Sequence, residues 1–395
     1  MIEFLLPRLH PNLYKSINCE SLELNIGSDI DDRHYLINIK KSIVIVQNEW
    51  EIYKNITNTL GFLYTLVPIK GHCVAMEGMY NDKSYFLLVE IIQKYYSQDF
   101  FYSIDFDTFH FSRHYNGIIN AFRKFRGKNI KDVHTTVNGS YENSFNESIP
   151  DILNIQSFIN VIQKYKSSIH FITVDIDNDD TEITYEYMMA RTYYALCLQK
   201  HNGNCIFKFT NKLNKKYADI IALLCSLYKE VFLTKPSSCK SYTSEMYVVC
   251  NKYILSNCDK IYPYLLKQFS NKSASYLFKD ENSINSFFYN KVIEYNTVLI
   301  QHQIENIHNT LSIILSDKNR NLNIHTTTPE IHRSNRESES KDCNYCAKRS
   351  EVKVDFIKED IEKSKVQHLL NINIKKCIQF CKKHGIEISN IYKDA

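Results

Sequence analysis

The chain has 395 residues, 48 Lys+Arg against 44 Asp+Glu, and a formal net charge of +4. With 44% hydrophobic and 23% charged residues it has a globular composition, which excludes wholesale disorder and a histone-like polycation. Nine glycines and seven prolines exclude collagen-like and glycine-loop-rich designs.

Residues 1–40 are weakly periodic and are expected to form an N-terminal extension. The apolar run in MIEFLLPRLHPN is too short for a signal peptide, and no run of 18 apolar residues predicts a membrane span. NEWEIYKNITNTL (48–60) reads as a helix stopped by Gly61, and HCVAME (72–77) as a short buried strand. After a turn over 78–82, KSYFLLVEIIQKYY is an amphipathic helix behind an Asp cap. FFYSIDF (100–106) reads as the next strand, and 110–147 as a polar surface excursion.

Alternation of apolar strands and helices then becomes regular. A helix over DILNIQSFINVIQKY leads to a strand at 169–176, a long helix, a strand at 203–210, and a helix over 215–228. Strands at 230–236 and 244–253 follow, joined by a loop too short for a helical crossover, so the last strand is expected to run antiparallel. The pattern predicts an α/β domain over 41–255 with a mostly parallel sheet. A helical region at 256–316, a linker at 317–350 and a segment at 351–395 carrying a final helix (about 357–384) complete the chain. Twelve scattered cysteines, often inside apolar runs, read as reduced buried thiols of a cytosolic protein.

Three ionisable residues stand near strand ends: Asp175 after VDI, Lys208 in CIFKF, and Glu245 opening SEMYVVC. In an open α/β sheet, ligands bind at the carboxyl edge of the parallel strands, so these residues are expected to meet in one crevice. There they can serve an attacking hydroxyl as base and positioning groups.

The phrase KPSSCKSYTSEMYVVC resembles the Lys-Pro and SEMY segment of FtsJ-like ribose 2′-O-methyltransferases, cap-specific enzymes among them. The look is closest to versions from large cytoplasmic DNA viruses such as African swine fever virus. The resemblance covers roughly 45–255 and implies a Rossmann-like, S-adenosylmethionine-dependent methyltransferase sheet with a C-terminal helical extension. It implies a Lys-Asp-Lys-Glu catalytic set, with Asp175, Lys208 and Glu245 as its last three members. Lys208 would take the proton of a ribose 2′-hydroxyl. In the register anchored on Trp50, the first Lys of the set is replaced by Ile52. The cofactor turn would be Glu77-Gly78 and the residues after it, with Asp105 gripping the cofactor ribose. Lys235 and Lys240 would contact RNA phosphates. The implied partner is RNA, capped mRNA in particular, in the cytoplasm, a viral factory or a virion. A partner protein would dock on the C-terminal helices, and no membrane is involved. The other reading is a catalytically degenerate domain that binds RNA or a protein.

Cys343 and Cys346 make one C-x-x-C pair, which falls short of a four-ligand zinc site. Cys377, Cys381 and His384 sit at helical spacing and are expected to form a packed helix face rather than a metal site. Arg123-Lys124-Phe125-Arg126-Gly127-Lys128 is the densest basic run, read as a solvated loop or an RNA-backbone contact.

Overall fold

The apolar runs near 170, 205, 232 and 250 become neighbouring strands of one sheet. The computed structural model describes residues 1–18, 33–68, 70–76, 82–96, 101, 105–112, 115–127, 132–137, 145–174, 184–209, 213–270, 277–278, 284–325 and 365–393. In chain order the elements are β1 (Ile2–Leu5), α1 (Arg33–Ile45), α2 (Gln47–Thr57), α3 (Lys83–Tyr95), β2 (Asp107–Phe111) and α4 (Asn116–Arg126). Then come β3 (Val133–Val137), β4 (Phe145–Glu147), α5 (Ile155–Tyr165), β5 (Ile169–Val174), α6 (Tyr185–Leu198) and β6 (Gln199–Phe209). The remainder are α7 (Lys215–Leu227), β7 (Tyr228–Lys235), β8 (Met246–Tyr253), α8 (Tyr262–Ser270), α9 (Ser286–His325) and α10 (Lys365–His384).

The chain divides into two units, Met1–Arg33 with Asp82–Gln303, and His34–Asn81 with Ile304–Ala395. The first holds an eight-stranded sheet in the order β1-β7-β8-β6-β5-β2-β3-β4. Strands β4, β3, β2, β5 and β6 are parallel neighbours, whereas β8 runs antiparallel to both β6 and β7. This is a Rossmann-like methyltransferase architecture with a helical extension. Side chains alternate across each strand. Phe109 and Phe111 of β2 meet Tyr165 of α5 and Tyr194 of α6, whereas His110 turns to Phe122 of α4 on the other face.

The α4 face carries a buried polar chain. The Thr108 hydroxyl lies 2.8 Å from both His110 Nε2 and His134 Nδ1, and His110 Nδ1 lies 2.8 Å from the Thr173 hydroxyl. Burial pushes the His134 imidazole down to about 4, with Asp132 pulling upward and Arg123 and Arg126 downward. Unfolded, it titrates near 6.5, so between 6.5 and 4 the unfolded chain holds the extra proton and folding stability falls as pH drops. Equilibrium unfolding should show a loss on the order of 3 kcal/mol across that window attributable to this residue. In His134→Gln, which keeps a polar partner for Thr108, the slope should flatten; an unchanged slope refutes the assignment.

Four readings of the sequence need correction. Residues 2–5 are an edge strand paired with β7 rather than a loose extension. HCVAME is not a sheet strand: Ala75 makes a single bridge to Ile388, and Cys73, Val74 and Ala75 are buried in the core of the second unit. The strand expected at 100–106 lies at 107–111, while Phe101 and Phe106 anchor rings, Phe101 stacking on Phe125 at 5.6 Å. The polar stretch 110–147 contains α4, β3 and β4, because Ile118, Ile119, Ala121 and Phe122 bury one face of a helix and the strands' hydroxyls and imidazoles satisfy one another.

In the second unit, Asn373 Nδ2 on α10 donates to the Ile56 carbonyl at 2.7 Å, and the Tyr392 hydroxyl donates to the His72 carbonyl at 3.0 Å. Cys377, Cys381 and His384 are buried on α10, with His384 against the Phe380 ring, so they form a packed helix face. Cys343 and Cys346 lie outside the described residues. Among the described residues no three metal-ligating side chains cluster, and no helix is long and apolar enough to cross a membrane.

Candidate active site

The parallel strands deliver their carboxyl ends to one edge of the sheet. From β2 the chain crosses to β3 on one side, and from β5 it crosses to β6 on the other. The crevice between the ends of β2 and β5 is thus the topological switch point, where such folds take nucleotides. Lys208 stands one residue before the end of β6, and Glu245 immediately precedes β8, whose Met246 pairs with Phe209. Antiparallel pairing also sets Lys208 opposite Tyr247.

These groups meet with a third that the sequence reading missed. Lys83, the first residue of α3, donates to Glu245 Oε2. Lys208 Nζ lies 3.8 Å from Glu245 Oε1, which also accepts from the Tyr247 hydroxyl. Lys83, Lys208 and Glu245 are 3%, 1% and 2% exposed. Burial alone would raise the Glu245 carboxyl, but Lys83, Lys208 and Lys235 outweigh it and hold the group well below the usual carboxylate range. Ile52 and the helix at 48–60, where the first lysine was sought, belong to the second unit.

Helix α3 is placed by its own sequence. Asp82 caps it, accepting from the Ser84 amide at 3.0 Å, and its other oxygen accepts from the Gly117 amide at 3.1 Å at the start of α4. One carboxylate therefore serves two helix N-termini, where negative charge is favoured. A Cβ on Gly117 would lie 2.6 Å from that carboxyl, so glycine is required by the close approach of the two helices. Two turns after Lys83, the buried Glu90 accepts from the Ser237 amide (2.9 Å), the Ser238 amide (3.0 Å) and the Ser238 hydroxyl (2.8 Å). The helix that presents Lys83 thus also grips the loop that presents Glu245. Glu90→Ala should cost about 2–4 kcal/mol in denaturant unfolding, since it strands two buried amides and a hydroxyl. A loss under 1 kcal/mol would mean that Glu90 does not hold the loop.

The remaining expected residues are placed as follows. Val174 pairs with Phe207, the residue before Lys208; Asp175, next after Val174, lies outside the described residues, as do Glu77 and Gly78. Asp105 is exposed and stands two residues before β2, at the amino edge, because the strand begins later than expected; it does not join the crevice. Lys235 is buried, and its ammonium donates to the Thr243 carbonyl at 2.7 Å and the Glu245 carbonyl at 3.0 Å. It staples the loop instead of meeting solvent phosphates. Lys240 is partly buried in that loop, its carbonyl accepting from Thr243. The basic run ends α4 at the amino edge, where Arg126 grips both oxygens of Asp132 and lies over the Phe106 ring.

The crossover after the first parallel strand, β2, runs from Ser112 to Gly117 and holds one described glycine. Ser112 is buried at the end of β2. The Ser84 hydroxyl, buried beside the start of α4, has no hydrogen-bond partner among the described residues. These hydroxyls suit a ligand rich in hydrogen-bonding groups, and S-adenosylmethionine is one.

No family model matches the chain. A stretch of 150 residues is 24% identical to the cap-specific mRNA (nucleoside-2′-O-)-methyltransferase 2 of Drosophila melanogaster, covering 36% of this chain and 21% of the fly protein. The chain therefore matches about a fifth of that relative's length. A probable spermidine synthase from Corynebacterium glutamicum overlays with a TM-score of 0.32 at 9% identity, over 54% of this chain and 79% of that one, a likeness that says nothing about function. Fold and sequence match together tie the chain to the S-adenosylmethionine-dependent methyltransferase superfamily in general.

Proposed function

We propose that the sheet-bearing unit is an S-adenosylmethionine-dependent ribose 2′-O-methyltransferase acting on RNA, with the mRNA cap region as substrate. The observation that carries this reading is the buried Lys83–Glu245–Lys208 cluster at the carboxyl edge of the sheet. Lys83 supplies the first lysine of the Lys-Asp-Lys-Glu set, and Asp175 is proposed as its acid. Lys208 accepts the proton of the 2′-hydroxyl as the oxygen attacks; Glu245, held by Lys83 and Tyr247, fixes the lysine and the sugar in place. When bound, S-adenosylmethionine supplies an electrophilic methyl group, and Ser84 and Ser112 are the residues that would hold it. Lys240 is the proposed phosphate contact. Because Lys208 is buried, the sugar has to uncover it on entry. The cytoplasmic setting, in a viral factory or virion, rests on resemblance alone.

Transfer of a labelled methyl group from S-adenosylmethionine to the 2′-oxygen of capped RNA tests the proposal. Activity that depends on the cap and on Lys208 supports it; none on any capped or uncapped RNA refutes it. One observation favours a second reading, a degenerate domain that binds RNA or, through its C-terminal helices, a protein. The amide of Gly117 and the space beside it are taken by Asp82, so this glycine serves helix packing. Calorimetric titration separates the two, since the second reading gives no heat with millimolar S-adenosylmethionine.

A further inference from the structure

On the sheet face opposite α3 and α4, a cleft opens between α6 and α8. Its volume is about 90 Å³, and Met189, Ala190, Tyr193 and Phe269 form apolar walls with Glu186 exposed at the rim. Gln268 of α8 lines it, 1% exposed, and neither its amide nitrogen nor its amide oxygen has a hydrogen-bond partner among the described residues. A buried amide left unsatisfied costs roughly 1–3 kcal/mol per group. Nothing in the α6–α8 packing needs it: an apolar residue of like length would fill the place at no such cost. A Gln amide presents one acceptor and a pair of donors side by side. Its complement is a flat group with an N–H beside a carbonyl. The cleft holds about three liquid-water volumes of ~30 Å³ each, enough for one ring and too little for two. Glu186 disfavours anionic groups at the mouth.

We propose that this cleft binds a neutral single-ring heterocycle with an imide edge, the uracil type of nucleobase, read by Gln268. The Gln268 oxygen accepts the ring N–H and its nitrogen donates to the adjacent ring carbonyl, as glutamine does in pairing with base edges. The site is independent of methyl transfer, so its test does not depend on the proposed function.

The full-length chain is titrated with uracil, uridine, a short uridine oligonucleotide and toluene, observed by calorimetry and by Gln side-chain amide resonances. Saturable uracil binding is expected, weakened at least tenfold by Gln268→Met, with toluene at least tenfold weaker than uracil. Ala190→Leu, which fills the cleft without touching the amide, should abolish binding and provides a second folded variant. Binding of the oligonucleotide that both variants remove identifies the source as RNA; binding of uracil or uridine alone identifies it as a free base or nucleoside. No saturation by any uracil-bearing probe at millimolar concentration, binding unaffected by either variant, or toluene binding as tightly as uracil, overturns the proposal.

Discussion

Lys208→Met is expected to reduce methyl transfer to capped RNA by at least about 10²-fold, the lower end of what a positioned general base contributes. The fold should survive, because methionine fills most of the lysine stem's volume and Glu245 keeps Lys83 and Tyr247 as partners. Labelled-methyl assays alongside thermal unfolding measure both quantities. Activity within threefold of wild type would remove Lys208 from the reaction. Loss of activity accompanied by unfolding would be uninformative for methionine alone, so Lys208→Arg serves beside it: it keeps the charge and removes a group able to accept a proton at neutral pH. It should be as inactive as Lys208→Met while retaining wild-type stability.

Glu245→Gln should lose both activity and stability. Removing one partner of a buried ionic cluster leaves uncompensated charge and costs roughly 3–5 kcal/mol. Here the ammonium groups of Lys83 and Lys208 would face a neutral amide. The pH dependence gives a separate readout. The native carboxyl is depressed from the ordinary value of 4.5, so its stabilisation is complete above 4.5 and is lost as pH falls toward the native value. Wild type should therefore lose stability in acid more steeply than Glu245→Gln, and the two curves should converge at low pH. Parallel curves would mean that the three lysines do not hold the carboxylate in its charged form.

The sheet was legible where its strands are buried on both faces. IHFITV and CIFKF read as near-continuous apolar runs, and the short loop before β8 signalled its reversed direction. Strands β2 and β3 were not legible. Thr108, His110, His134 and Thr136 look like surface residues in sequence, yet hydrogen bonds between strands let the first three sit in the interior, and no local pattern records that. Taking HCVAME for the first strand started the sheet one unit early. Lys208 and Glu245 were unaffected, since KPSSCKSYTSEMY fixes them locally. The first lysine was then sought on the wrong helix and the cofactor turn was placed before α3. The signal that finds Lys83 is its position directly after the cap of the helix that precedes the first parallel strand.

The short N-terminal ladder has a consequence for handling the protein. Ile2 pairs with Lys235 and Leu5 with Phe232, so four residues cover the outer hydrogen-bonding groups of β7. Deleting them would leave those groups open to a strand from another molecule, a route to self-association. It would also release the end of β7 from which Lys235 reaches back to the Glu245 carbonyl. A shortened version prepared for crystallisation or assay should therefore keep its first five residues.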